Sequence, residues 1–325
     1  MKLSFEKMEG LGNDFIVVED FDEAIHLSKQ QVIALCDRNF GIGADGIILL
    51  RPSTQQSADY AWWFANADGS LAEMCGNGIR CAARALYDHG HLQADASQVV
   101  IDTAIGPRRV GIATDTDGTF VYATVDMGSA TLAPEKIGTS LEANTSLEIA
   151  CSPESIDAKA ESEEIKDISF YVEGIIDYPL EIEGLDESIE VTCLSMGNPH
   201  TVIDVASLSC TIADAPVDVL GPRIENHPAF SHRTNVGFME VIDEDTMNAR
   251  VWERGCGETL ACGTGACAAA VSAYLHGKIG EAVTVRVLGG DLKIAIDPMT
   301  LAVNMAGPAC FVYSGTIELD NEGEK

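Results

Sequence analysis

Residues 75–88 read CGNGIRCAARALYD, and residues 262–275 read CGTGACAAAVSAYL. Each is a Cys-Gly-x-Gly turn running into an alanine-rich stretch, and the two cysteines stand 187 positions apart (262 minus 75). Alanine-rich segments favour helix, and a helix without a polar face must be buried on all sides. The pattern predicts helices over 79–89, ended by Gly90, and over 266–275, ended by Gly277, both apolar on nearly every face. Short strand patterns surround both. In the first half, 3–19 reads as a hairpin, with LSFEKM alternating and FIVVED a buried strand. A short helix over 27–39, opened by Ser28, and strands at 46–50, 60–65, 99–101, 109–112 and 120–125 follow. In the second half, strands are expected at 201–205, 236–241, 248–252, 283–288, 292–296, 301–305 and 311–319. The economical architecture is a sheet curled around one buried helix, made twice. That is an α+β (mixed α/β) fold of two pseudo-symmetric domains.

Other polar landmarks repeat at nearly the same offset. Asn66 stands nine residues before Cys75, and Glu253 nine before Cys262. Gly12-Asn13 and Gly197-Asn198 each precede an apolar strand, and Asn198 minus Asn13 is 185. A duplicated unit with one cysteine per copy suggests two thiols working on opposite faces of one carbon.

At 325 residues the chain fits two domains, and a 46% hydrophobic content is that of a globular protein. A net charge of -31 argues against nucleic acid and anionic membrane surfaces as partners. The first residues lack an apolar signal core, and no long apolar run occurs. The ten cysteines are scattered without CxxC pairs, which fits a reducing, cytoplasmic location. Residues 151–190 carry thirteen Asp/Glu against two Lys, and 152–168 reads as a solvated acidic insertion. Strands are expected at 168–172 and 180–182 on its far side.

A Gly-x-Gly opening a helix leaves its first amides without intrahelical acceptors. Those amides and the helix dipole hold a carboxylate and lower a nearby thiol's pKa. Cys75 and Cys262 are therefore the candidate acid/base pair, with Gly76, Asn77, Gly263 and Thr264 supplying turn amides. Arg254, between Glu253 and Gly255, suits a bidentate carboxylate contact. Asn13, Asn66, Asn198 and Asn235 offer donors and acceptors for a zwitterion, and His200 is placed to tune a thiol. GIGADG at 41–46 matches a dinucleotide fingerprint but leads into a strand, so that reading fails. Cys256, Cys262 and Cys267 lack a convergent metal-ligand set.

Together these pieces resemble the diaminopimelate epimerase family: GLGNDF at 10–15, NADGSLAEMCGNGIRC at 66–81, GNPH at 197–200, RTNVGFM at 233–239 and ERGCGETLACGTGACA at 253–268. The resemblance spans nearly the whole chain outside the acidic segment. It implies two similar domains: 1–128 with Cys75, to which 310–325 returns, and 129–309 with Cys262 and the insertion at 131–190. It implies interconversion of LL- and meso-2,6-diaminopimelate without pyridoxal phosphate or metal. Cys75 and Cys262 would be the acid/base residues, and the turn amides of Gly76, Asn77, Gly263 and Thr264 would hold the reacting carboxylate. Asn13, Asn66, Asn198, Asn235, Glu253 and Arg254 would contact the rest of the substrate, with His200 and Glu253 tuning the thiols. A homodimer is the expected assembly. Two features depart from the family pattern: the long acidic segment, and the extra thiol of Cys256. The rival readings are racemisation of another amino acid, such as proline or histidine, and a non-catalytic redox pair.

Overall fold

The computed structural model describes residues 2–93, 96–151 and 168–319. Residues 152–167, nearly all of the expected acidic insertion, lie outside that range, as do 320–325. Contacts group residues 1–126 with 306–325, and 127–305 by themselves.

The first unit opens with β1 (Lys2–Gly10) and β2 (Asn13–Glu19), an antiparallel hairpin. Its two-residue turn, Leu11-Gly12, has both φ values positive (58° and 84°), which matches the twist of the flanking strands. Next come α1 (Lys29–Cys36), β3 (Gly46–Pro52), β4 (Tyr60–Asn66) and α2 (Gly76–Asp88). The run ends with β5 (Gln98–Thr103), β6 (Gly106–Thr114) and β7 (Phe120–Ser129). The central strands are apolar at consecutive positions because both faces are covered. Ile16, Val18, Ile47 and Leu49 pack with Val32 and Leu35 of α1 on one face. Phe15 and Ile48 turn the other way, toward Gly78 in α2.

The second unit contains α3 (Pro134–Ile137), β8 (Thr145–Cys151), β9 (Ile168–Leu180), β10 (Ile189–Ser195) and β11 (Pro199–Asp204). It continues with α4 (Val217–Glu225), β12 (Asn235–Asp243), β13 (Thr246–Glu253), β14 (Gly257–Thr259) and α5 (Gly263–Leu275). The last members are β15 (Ala282–Val287), β16 (Gly290–Ile296) and β17 (Ala302–Gly307). Finally β18 (Cys310–Glu318) lies antiparallel to β1, with Lys2 opposite Glu318.

The pairing pattern repeats. In the first unit, β18–β1 and β1–β2 are antiparallel, β2–β3 parallel, β3–β4 antiparallel, β4–β5 parallel and β5–β6 antiparallel. In the second, β9–β10, β10–β11, β11–β12, β12–β13, β13–β15 and β15–β16 run through the same six relations in the same order. Helix α2 touches β1, β2, β3 and β6, so that sheet curls around it. Helix α5 touches β10 through β13, β15 and β16 in the same way. The expected fold class is therefore correct: a mixed α/β duplication with a buried helix at each centre.

Several expectations need correction. Both central helices begin three residues earlier than expected, because the cysteine is the N-cap and the Gly-x-Gly forms the first turn. Helix α1 is shorter than 27–39: Ser28 and Gln31 close a capping box at its start, and the chain turns out at Asp37. The strand expected at 168–172 runs on to Leu180 as β9, held by β8 on one side and β10 on the other, whereas Glu181 and Ile182, expected in a second strand at 180–182, lie beyond its end. Helix α2 is not apolar all round, since Arg80 is fully buried within it. Arg80 donates from Nε to Pro308 O (3.0 Å) and from Nη1 to Gly76 O (3.2 Å), which makes that burial tolerable. The GIGADG stretch leads into β3, as the sequence reading requires.

Candidate active site

Topology brings the polar landmarks of each unit to one edge of its sheet. In the first unit Phe15 lies opposite Gly46, and Gly46 opposite Asn66, so the start of β2 and the end of β4 share an edge. Cys75 caps α2 with extended backbone (φ -145°, ψ 114°), and its Sγ accepts from Gly78 N at 3.4 Å. The thiol donates to Asn13 Oδ1 at 3.6 Å, and Asn77 Nδ2 donates to the same oxygen at 3.2 Å. Asn13 Nδ2 in turn donates to Asp45 Oδ2 at 2.7 Å, which fixes the amide orientation. Arg38 grips Asp14 through two bonds of 2.9 and 2.8 Å and reaches Asp45 at 2.7 Å. Lys7 pairs with Asp14 at 2.6 Å. Burial alone would raise the Asp14 carboxyl, yet the bonds from Arg38 and Lys7 hold it well below the ordinary carboxylate range. Asn66 donates to Ser70 Oγ at 3.0 Å within its turn.

The second unit repeats this scheme with different side chains. Cys262 caps α5, and its Sγ lies 3.6 Å from Thr264 Oγ1. Asn198 Nδ2 donates to Thr264 Oγ1 at 3.3 Å, the counterpart of the Asn77–Asn13 bond. His200 Nε2 meets Asn198 Oδ1 at 3.0 Å, while its buried Nδ1 has no hydrogen-bond partner among the described residues. His200 thus reaches Cys262 through Asn198 and Thr264. Burial, then the charge of Arg254, pushes the His200 pKa down to about 3, so the ring is neutral. Gly265 admits no side chain: a β-carbon there would lie 2.8 Å from Val251 Cγ2 and 3.2 Å from Cys262 Sγ.

Cys262 departs from the expectation that a helix N-terminus lowers the thiol. Burial first, and then the charge of Glu253, push it well above its ordinary value, against the pull of Thr264 and the Gly265 amide. Cys262 is 6% exposed, whereas Cys75 is half-buried, so the duplicated thiols sit in unequal surroundings. Glu253, at the end of β13, accepts from Thr259 Oγ1 at 2.5 Å.

Arg254 and Asn235 are positioned by backbone bonds. Asn235 Oδ1 accepts from Arg254 N at 2.9 Å, and its Nδ2 donates to Pro199 O at 2.9 Å. Arg254 Nη1 donates to His232 O at 2.9 Å. Buried Glu225 pins the same turn, accepting from Gly255 N (2.9 Å), Arg233 Nη1 (2.8 Å) and Trp252 Nε1 (2.8 Å). Cys256 is exposed on this turn.

Two segments of the chain, 5–133 and 192–312, match the diaminopimelate epimerase family along 250 residues (129 plus 121). The chain belongs to the diaminopimelate epimerase family. It is 40% identical over 320 residues to the diaminopimelate epimerase of Alkalilimnicola ehrlichii, covering 98% of this chain and 100% of that one. Over 319 residues it is 39% identical to the enzyme of Leptospira biflexa, with 98% and 100% covered. Among solved structures, the fold is similar to a hydroxyproline epimerase from Agrobacterium vitis (TM-score 0.63, 16% identity, covering 99% of this chain and 94% of that one). It is also similar to a phenazine biosynthesis protein from Bacillus anthracis (TM-score 0.61, 15% identity, 98% and 100% covered). The family match leaves 134–191 unmatched, the region of the acidic segment.

Membership in the diaminopimelate epimerase family makes this an isomerase. Sequence reasoning misses two residues that hold its polar groups in place. Thr259 lies inside the ERGCGETLACGTG stretch, so its proximity to Glu253 is a detectable signal. Glu225 has none, because α4 contains Gly221 and Pro222 and does not read as a helix. Among the described residues no helix is long and apolar enough to cross a membrane.

Proposed function

We propose that the chain interconverts LL- and meso-2,6-diaminopimelate by two-base proton transfer between Cys75 and Cys262, with neither pyridoxal phosphate nor metal. The observation that carries this reading is the repeated cysteine N-cap, each bound through its turn to an asparagine, in a full-length member of the family.

An amino acid's α-proton is barely acidic, so the charge left on its removal needs stabilisation. The amides of Gly76, Asn77, Gly263 and Thr264 and the positive ends of two helices supply it at the α-carboxylate. One thiolate takes the α-proton while the opposite thiol delivers its own to the other face. Burial first, and then the charge of Glu253, raise Cys262, which supports a reading in which it is the thiol partner at rest. In the reverse direction the roles exchange: the Cys262 thiolate takes the α-proton and the Cys75 thiol delivers its own. Asn66, Asn198, Asn235 and Arg254 bind the distal amino and carboxylate groups, and a site that hydrogen-bonds these groups rejects analogues lacking them. A homodimer in the cytoplasm belongs to the same reading, and light scattering tests the dimer.

The deciding experiment incubates reduced protein with LL-diaminopimelate in D₂O. Meso product carrying deuterium at the inverted carbon is expected. Cys75→Ala and Cys262→Ala should each abolish inversion, and near-normal turnover in either would end the two-base scheme. Activity on proline or histidine without activity on diaminopimelate would favour the other racemases.

A further inference from the structure

The sequence His89-Gly90-His91 follows directly on α2. Gly90 takes a left-handed backbone (φ 71°), and the chain doubles back so that both imidazoles reach one carboxylate. His89 Nδ1 lies 2.5 Å and His91 Nε2 2.8 Å from Glu19 Oε1, the last residue of β2. One donor atom from each of the three residues lies within 4.8 Å of the others. We propose that Glu19, His89 and His91 form a binding site for a divalent transition-metal cation of the zinc class.

Further features separate this cluster from a chance group of surface charges. His89 Nε2 is 3.0 Å from Glu6 Oε1, so the nitrogen facing away from the proposed ion has a carboxylate partner. That is the arrangement that fixes a ligating imidazole's tautomer and strengthens it as a donor. The His91 ring stands edge-on to Phe21, with centroids 4.6 Å apart, and Tyr60 Oη donates to His91 O at 2.8 Å. The ligands are therefore oriented before any ion arrives. The donor set of two imidazoles and a carboxylate suits zinc, cobalt or nickel, while calcium and magnesium prefer oxygen alone. Two carboxylates beside two neutral imidazoles balance a double positive charge. Glu6, Glu19 and His89 also line an open cleft with Ser314, Gly315 and Thr316, which gives an ion access.

The site lies at the opposite end of α2 from Cys75, about 20 Å away for a 13-residue helix. Its occupancy is readable without reference to catalysis. The test is a Co²⁺ titration of the reduced full-length protein, followed by visible absorption and by proton NMR of the histidine rings. The expected result is one saturable equivalent, ligand-field bands without thiolate charge-transfer absorption, and selective broadening of His89 and His91. His91→Ala and Glu19→Gln should each weaken binding about tenfold or more, and Glu6→Gln should weaken it about tenfold. Circular dichroism shows whether these partly exposed substitutions leave the fold intact, and the ring broadening in the unaltered protein is independent of them. No saturable binding, thiolate absorption, or broadening confined to other histidines would overturn the proposal.

Discussion

Glu253 accepts the Thr259 hydroxyl on one carboxylate oxygen and raises the neighbouring Cys262 thiol, so its orientation bears directly on that thiol's proton. Thr259→Val keeps the shape and removes the donor. A hydrogen bond to a charged group contributes about 1.5–3 kcal/mol, which corresponds to a fall in kcat of about tenfold to a hundredfold if the loss falls on the reacting geometry. KM should change little, the pH–rate profile should shift, and Thr259→Ser should restore both. Steady-state kinetics across pH is the check, and unchanged kcat in the valine variant would remove Thr259 from the site. At this scale the sequence marks which residues are polar, but not where their bonds go. Asn235 illustrates the difference: its position at a strand end is legible, whereas its bonds to Arg254 N and Pro199 O depend on strands far apart in sequence.

Among the elements, α2 is the more exacting of the two central helices because it buries a charge. Arg80 satisfies carbonyls at both Gly76 and Pro308, and Arg84 Nη1 reaches Ala309 O at 2.5 Å. Arg80→Met fills much of the volume but removes the donor to Pro308 O, at a cost of about 1–3 kcal/mol. Urea unfolding should record that loss as a lower midpoint with an unchanged slope, and a shift below about 0.5 kcal/mol would contradict it. The two buried helices and most strands are legible from periodicity, because apolar runs bounded by glycine recur in both halves. Helix α4 is not, since Pro222 and Gly221 are poor helix formers and tertiary packing of Val217, Leu220 and Ile224 overrides them. Strand β9 is legible over 168–172, whereas its partner β8 is not read as a strand, although exposed Ser146 and Glu148 alternate there with half-buried Thr145 and Leu147.

Across the whole molecule, buried His200 and half-buried Asp14 make the fold sensitive to acid in the same direction. An unfolded histidine takes up its proton near 6.5, while His200 resists protonation down to about 3. Between these values the unfolded chain binds more protons, so stability falls as pH drops below 6.5. Asp14 adds to this below the ordinary carboxylate value of 3.8, where the unfolded carboxyl is protonated first and its bonds to Lys7 and Arg38 no longer favour the fold. His89 works the other way: Glu19 raises it, so its contribution is complete below 6.5 and fades as pH rises through the higher folded value. The urea midpoint should therefore fall from about pH 6.5 to about pH 5, with the buried His200 ring silent in an NMR titration. A His200 ring that titrates near its ordinary value would refute that assignment.

The pairing of Lys2 with Glu318 bears on how the protein is made. Strand β1 is made well before β18 and must wait for it before that edge is covered. At about 5–20 residues per second, that wait is on the order of 15–60 seconds. Residues 127–305, by contrast, are contiguous and can assemble as they emerge. A nascent chain stalled before Pro308 would lack the carbonyls that Arg80 and Arg84 bind, and would expose β1 as an open template for pairing with other chains. Translation that halts early thus leaves the cysteine of the second copy in a finished setting and that of the first in an unfinished one.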